Sequence, residues 1–81
     1  MTDDANNGAL KVAAEAAIKQ FIDTLDGEDA TDFYGLVLAE VEEPLLRVVM
    51  QYTSNNQSKA AAMLGLNRGT LRKKLRQYKL L

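Results

Sequence analysis

Apolar residues recur along this chain at helical spacing. Ala14, Ile18, Phe21 and Leu25 fall at steps of four, three and four, one face of a helix that begins near Leu10. Ala17 and Ile22 widen that face. The polar residues 1–9 read as a disordered lead-in. Asp26 and Gly27 stop the pattern, because glycine tolerates the left-handed conformation at a helix C-terminus. Thr31 or Asp32 suits the N-cap of the next helix. In that helix Val37, Val41, Leu45, Val48 and Tyr52 mark one stripe, and Leu38, Leu46, Val49 and Met50 fill neighbouring positions. Such a surface is too broad for a helix that buries a single side. A helix of some twenty residues spans about 30 Å, so in an 81-residue chain it calls for a second subunit. Pro44 removes one backbone donor mid-pattern, at an intrinsic cost of roughly 3 kcal/mol. Periodicity continues across it, which predicts a kink over 40–44, with two separate helices as the alternative. Tyr34, Tyr52 and Tyr78 lie on apolar stripes and read as core.

Two short helices follow a break at Thr53–Asn56. The first, about 57–64, carries Ala60, Ala61 and Ala62, small enough to let another helix approach closely. Gly65 suits a positive φ in a tight turn, and Leu66 reads as the buried plug of that turn. Asn67 is a good N-cap for a helix over 68–78, in which Leu71, Leu75 and Tyr78 share the inward face. Arg68, Thr70, Arg72, Lys73, Lys74 and Arg76 lie on the other face. A small residue, a glycine turn and an apolar anchor at this spacing predict a helix-turn-helix.

Charge sharpens the picture. Residues 1–43 hold all 11 acids against only Lys11 and Lys19, while 44–81 hold Arg47, Lys59, Arg68, Arg72, Lys73, Lys74, Arg76 and Lys79 and no acid. The net charge of -1 is thus the sum of -9 and +8. A basic, amphipathic helix-turn-helix fits double-stranded DNA. A reading helix lies in the major groove with its first turn nearest the bases. Arg68 stands in that turn, where a guanidinium pairs with guanine O6 and N7. Asn67 and Thr70 are short polar groups suited to base edges or phosphates, and Gly69 allows close backbone approach. Arg72, Lys73, Lys74 and Arg76 reach flanking phosphates. Asn56, Ser58 and Lys59 sit at the N-terminus of the preceding helix, another place for phosphate.

Composition removes alternatives. The chain has no cysteine and no histidine, so disulfides, thiolate zinc sites, a thiol nucleophile and the commonest general base are excluded. Glu40 and Glu43 lie at i, i+3 and in principle share a metal, but without histidine they read as a solvated helix face. With Glu15, Asp23 and Asp32, Glu40 makes the wet side of the N-terminal helices. No enzyme, cofactor or metal is expected, nor is a membrane span, since no apolar run approaches eighteen residues. The acidic, polar N-terminus is the opposite of a secretory signal.

The segment VLAEVEEPLLRVVMQYTSNNQSKAAAMLGLNRGTLRKKLRQY resembles the Fis family (factor for inversion stimulation), bacterial nucleoid-associated DNA-binding proteins. The match runs from about Leu10 to Tyr78 and is densest over 36–78; LGLNRGTLRKKL is its most specific string. A more distant similarity to the C-terminal domains of NtrC-type activators leaves open, as an alternative, a DNA-binding and dimerisation module of a larger activator. The resemblance to Fis implies an all-α, four-helix subunit. Residues 10–54 of two copies intertwine into a homodimer core, with the kink at Pro44, and residues 55–81 form a projecting helix-turn-helix. It also implies two reading helices set too close for successive major grooves of straight DNA. Bound DNA therefore bends, and a degenerate sequence is read partly through minor-groove compression. By motif position Arg68 corresponds to the principal guanine-reading arginine. Asn67, Thr70, Lys73 and Lys74 fall at DNA-contacting positions, as do Asn56, Ser58, Lys59, Arg72 and Arg76. The family contacts RNA polymerase through the loop Gln51–Gln57, where Ser54 stands in place of a frequent basic residue. Longer members contact DNA invertases through an N-terminal β-hairpin arm. The first nine residues here show no strand pattern, which puts invertase contact in doubt. The expected role is nucleoid organisation and transcription regulation in the bacterial cytoplasm.

Overall fold

A computed structural model of the chain describes residues 3–25 and 31–81. Among these residues the fold is all α: α1 (Asp3–Thr24), α2 (Phe33–Tyr52), α3 (Gln57–Leu64) and α4 (Arg68–Gln77). They fall into two compact units, Met1–Val37 and Leu38–Leu81, with the division inside α2. The reason is that the second half of α2 packs with α3 and α4.

In the first unit, α1 begins at Asp3, ahead of the start expected near Leu10. Gly8, read as the end of the lead-in, is inside the helix. A glycine there costs about 1 kcal/mol relative to alanine, and it does not stop the helix. The stripe of Ala14, Ile18, Phe21 and Leu25 is half-buried, whereas Ala17, Ile22, Leu10 and Val12 are exposed. Phe21 meets Phe33 with ring centroids 5.7 Å apart and planes tilted by 30°. α1 closes with the Thr24 hydroxyl donating to the Phe21 carbonyl at 2.6 Å; the Asp26–Gly27 stop lies outside the described residues. Of the two expected caps, Asp32 serves α2: its Oδ1 accepts from the Gly35 N–H at 3.3 Å and its carbonyl from the Leu36 N–H at 3.0 Å.

In the second unit α2 continues through Pro44 as one helix, so the two-helix alternative does not form. Leu46, Val49 and Met50 are buried together with Ala60, Ala61, Leu71 and Leu75, and Leu64, Tyr78 and Leu80 pack against this core. The paired alanines let α3 lie close to its neighbours, as their size requires. Each fully buried leucine contributes about 1.5–3 kcal/mol of transfer free energy. On the same helix Leu38, Val41, Leu45, Val48 and Tyr52 are exposed, at steps of three, four, three and four. Tyr34 and Tyr52, read as core, are 78% and 76% exposed. Only Tyr78 packs on the core.

The three helices of this unit end in the same way. Each has a residue of positive φ, with the next N–H reaching back five residues. After α3, Gly65 has φ 74 and the Leu66 N–H donates to the Ala61 carbonyl at 2.9 Å. After α2, Ser54 and Asn55 both have positive φ, 55 and 63, and the Asn55 N–H donates to the Met50 carbonyl at 2.7 Å. After α4, Lys79 has φ 58 and the Leu80 N–H donates to the Leu75 carbonyl at 2.8 Å. Leu66, expected as a buried plug, is half-buried and outside the core cluster. Among the described residues no helix is long and apolar enough to cross a membrane.

Candidate nucleic-acid interface

α4 starts because Asn67 adopts an extended backbone (φ -65, ψ 142) and its Oδ1 accepts from the Gly69 N–H at 2.7 Å. The cap uses the side-chain carbonyl and leaves the amide N–H groups as donors. A Cβ on Gly69 would sit 3.1 Å from Asn67 Oδ1, so glycine keeps this cap uncrowded as well as keeping the surface flat. Asn56 does the same for α3: its Oδ1 accepts from the Lys59 N–H at 3.0 Å. Asn67 is the cap the sequence predicts for α4. A shallow depression of about 570 Å³ beside the second cap is lined by Tyr52, Thr53, Ser54, Asn56 and Lys59.

With Leu71 and Leu75 buried, the opposite face of α4 is exposed: Arg68, Gly69, Thr70, Lys73, Arg76 and Gln77. Asn56, Ser58 and Lys59 are exposed too. The two flanks of α4 are tied down. On one, Arg72 donates through Nη1 to Gln57 Oε1 at 2.9 Å, which draws the first turn of α3 against α4. On the other, Glu42 of α2 takes both Lys74 and Tyr78. Lys74 Nζ lies 2.7 Å from Oε2, and the Tyr78 hydroxyl donates to Oε1 at 2.7 Å. The Lys74 ammonium, then the Tyr78 phenol, hold the Glu42 carboxyl below its ordinary range, against a smaller opposing effect of burial. The same hydrogen bond to Glu42 raises the Tyr78 phenol.

Of the ten residues singled out from the sequence, eight are thus presented to solvent and two, Arg72 and Lys74, are half-buried in contacts between helices. Glu43 pairs with Arg47 one turn on. Sequence reasoning missed Glu42 and Gln57. Their partners lie 32 to 36 and 15 residues away, beyond any local spacing signal.

Two short helices about a glycine turn, the second capped by asparagine and basic on its outward face, make this a helix-turn-helix protein. The model of the bacterial regulatory protein Fis family matches residues 37–78. Over 72 residues the chain is 60% identical to DNA-binding protein Fis of Actinobacillus succinogenes, covering 89% of this chain and 73% of that protein. It is 54% identical over 72 residues to DNA-binding protein Fis of Histophilus somni, covering 89% and 74%. With the protein of the same name from Yersinia pestis it shares 53% identity over 76 residues, 94% and 78% of the two chains. The chain belongs to the Fis family.

Proposed function

We propose that this chain is a homodimeric DNA-binding and DNA-bending protein of nucleoid organisation and transcription regulation. The observation that carries the reading is the division of α4: apolar side chains buried inward, Arg68 in the first exposed turn, and Lys73 and Arg76 beyond it. Arg68 is the guanine-reading residue. Asn67 and Thr70 serve base edges or phosphates. Lys73, Arg72 and Arg76 hold the phosphate backbone along α4, and Asn56, Ser58 and Lys59 hold it at the start of α3. The Arg72–Gln57 bond supports this grouping, since it ties the first turn of α3 to α4. Residues 10–54 form the dimer body, with the exposed stripe Leu38, Val41, Leu45, Val48 and Tyr52 as its seam, and residues 55–81 the reading unit. That body sets the separation of two reading units, and with it the bend. The loop Gln51–Gln57 is a route to RNA polymerase, and the positive φ of Ser54 shapes it.

A gel-shift titration with permuted-site probes tests this. Affinity falls steeply between 50 and 200 mM salt, with a slope near -0.9 per phosphate contact, and mobility depends on where the site lies. Arg68→Ala loses roughly 1–3 kcal/mol on specific sites and relaxes the preference for guanine. Binding that ignores salt sinks the DNA reading, and an Arg68→Ala variant that equals wild type on specific and random duplexes removes Arg68 from its role.

A further inference from the structure

The stretch 44–81 has no acid in sequence, but acids of α2 meet it in space. Glu42 reaches it from α2 and commits both carboxylate oxygens there, Oε2 to Lys74 and Oε1 to Tyr78, each at 2.7 Å. We propose that Glu42 withholds Lys74 from DNA. Lys74 is then a positioning residue that ties α4 to α2, and its neighbour Lys73 carries the phosphate contact. This rests on the DNA-binding reading above and divides the basic face that the sequence presents as uniform.

Three observations carry it. Lys74 sits on the flank of α4 that faces α2, with its side chain 31% exposed, whereas Lys73 is on the outward face and exposed. A phosphate would have to replace a carboxylate already in place, so the exchange gives Lys74 little net Coulomb energy and leaves a carboxylate facing the anionic backbone. Tyr78 keeps Glu42 where it is, because its hydroxyl holds the other oxygen independently of the lysine. Arg47 is matched to Glu43 one turn away on α2, so among the described residues two of the eight cations of 44–81 are paired with acids.

The test is a mutant cycle read as salt dependence of affinity for one duplex. One phosphate contact accounts for about 3.5-fold of the affinity lost between 50 and 200 mM salt, from a slope of about -0.9. Lys73→Gln should flatten the slope by that amount per subunit, and Lys74→Gln by much less. Glu42→Gln keeps an oxygen for the Tyr78 hydroxyl and releases the ammonium, so its slope should steepen. In that background Lys74→Gln should now flatten the slope as Lys73→Gln does. Without DNA, urea unfolding should show Lys74→Gln destabilised relative to Lys73→Gln. Equal flattening by the two single lysine variants, or an unfolding midpoint that Lys74→Gln leaves at the Lys73→Gln value, overturns the proposal while leaving DNA binding intact. A wild type that binds no duplex rejects the reading beneath it.

Discussion

The two units of this chain have comparable apolar patterns and opposite burial. Every fully buried side chain among the described residues lies in the C-terminal unit; in the N-terminal unit Ala14, Ile18, Phe21, Leu25, Phe33 and Val37 are only half-buried. Hydrophobicity does not distinguish them, since Leu10, Val12 and Ile22 are as apolar as the core leucines. What differs is whether a unit supplies its own partner surface. α3 and α4 do so for Leu46, Val49 and Met50, and within the same unit Leu38, Val41, Leu45, Val48 and Tyr52 stay exposed. The spacing of that exposed seam, alternating three and four, is what a packed pair of helices uses. An apolar stripe left open on a folded unit is therefore evidence about assembly.

The largest effect should come from the seam. Val41→Asp with Val48→Asp places two carboxylates where a second copy would lie, and both sites are exposed in one chain. Sedimentation velocity should show the dimer lost, while the helix content of the C-terminal unit survives. A dimer that persists would move the interface elsewhere. Next comes the core itself: Leu75→Ala should cost about 2–5 kcal/mol, because a fully buried leucine leaves a cavity. The matching exposed change, Leu10→Ala, should cost well under that in a dissociated subunit and more in the dimer. Urea titrations at two protein concentrations separate the cases, and equal losses at high dilution would dissolve the contrast between the units.

Much of the C-terminal unit was legible because its signals are local. Asn56, Gly65 and Asn67 bracket α3 and begin α4 within a few residues of one another, and the structure ends the second helix at Gln77 against an expected 78. The N-terminal start is the exception: the polar lead-in carries no apolar periodicity, yet α1 begins at Asp3. Positive φ at Ser54 and Lys79 left no trace in residue type, since neither is a glycine. Glu42 was hidden by distance and by charge. It sits in the acidic half of the sequence and does its work on the basic half. The α2 stripes were recognised, but which of them the chain covers by itself is decided by where α3 and α4 return.

Gly65→Ala gives a smaller, local effect. Nothing lies within 4 Å of a Cβ there, so strain at φ 74 is the whole penalty, about 1–2 kcal/mol. The loss should appear in the unfolding midpoint of the C-terminal unit. If alanine is neutral, the turn has another conformation in solution.

Acid and base should act more weakly still, and from both sides, on the one bond network that joins α2 to α4. The Glu42 carboxyl is lowered by Lys74 and Tyr78, so its stabilising contribution is full above the ordinary glutamate range and is lost as pH falls through its lowered value. The Tyr78 phenol is raised by Glu42, so its contribution is present below the ordinary tyrosine value and is lost as pH rises through the raised one. The Lys74–Glu42 pair is about a third exposed, and pairs of that kind contribute roughly 0–1 kcal/mol. Urea midpoints measured from pH 3 to pH 11 should therefore show a shallow plateau that narrows at both ends. Glu42→Gln should flatten the acid edge and Tyr78→Phe the alkaline one. Because the N-terminal unit contains neither residue, fluorescence probes placed on α1 should not report these edges unless the two units unfold together.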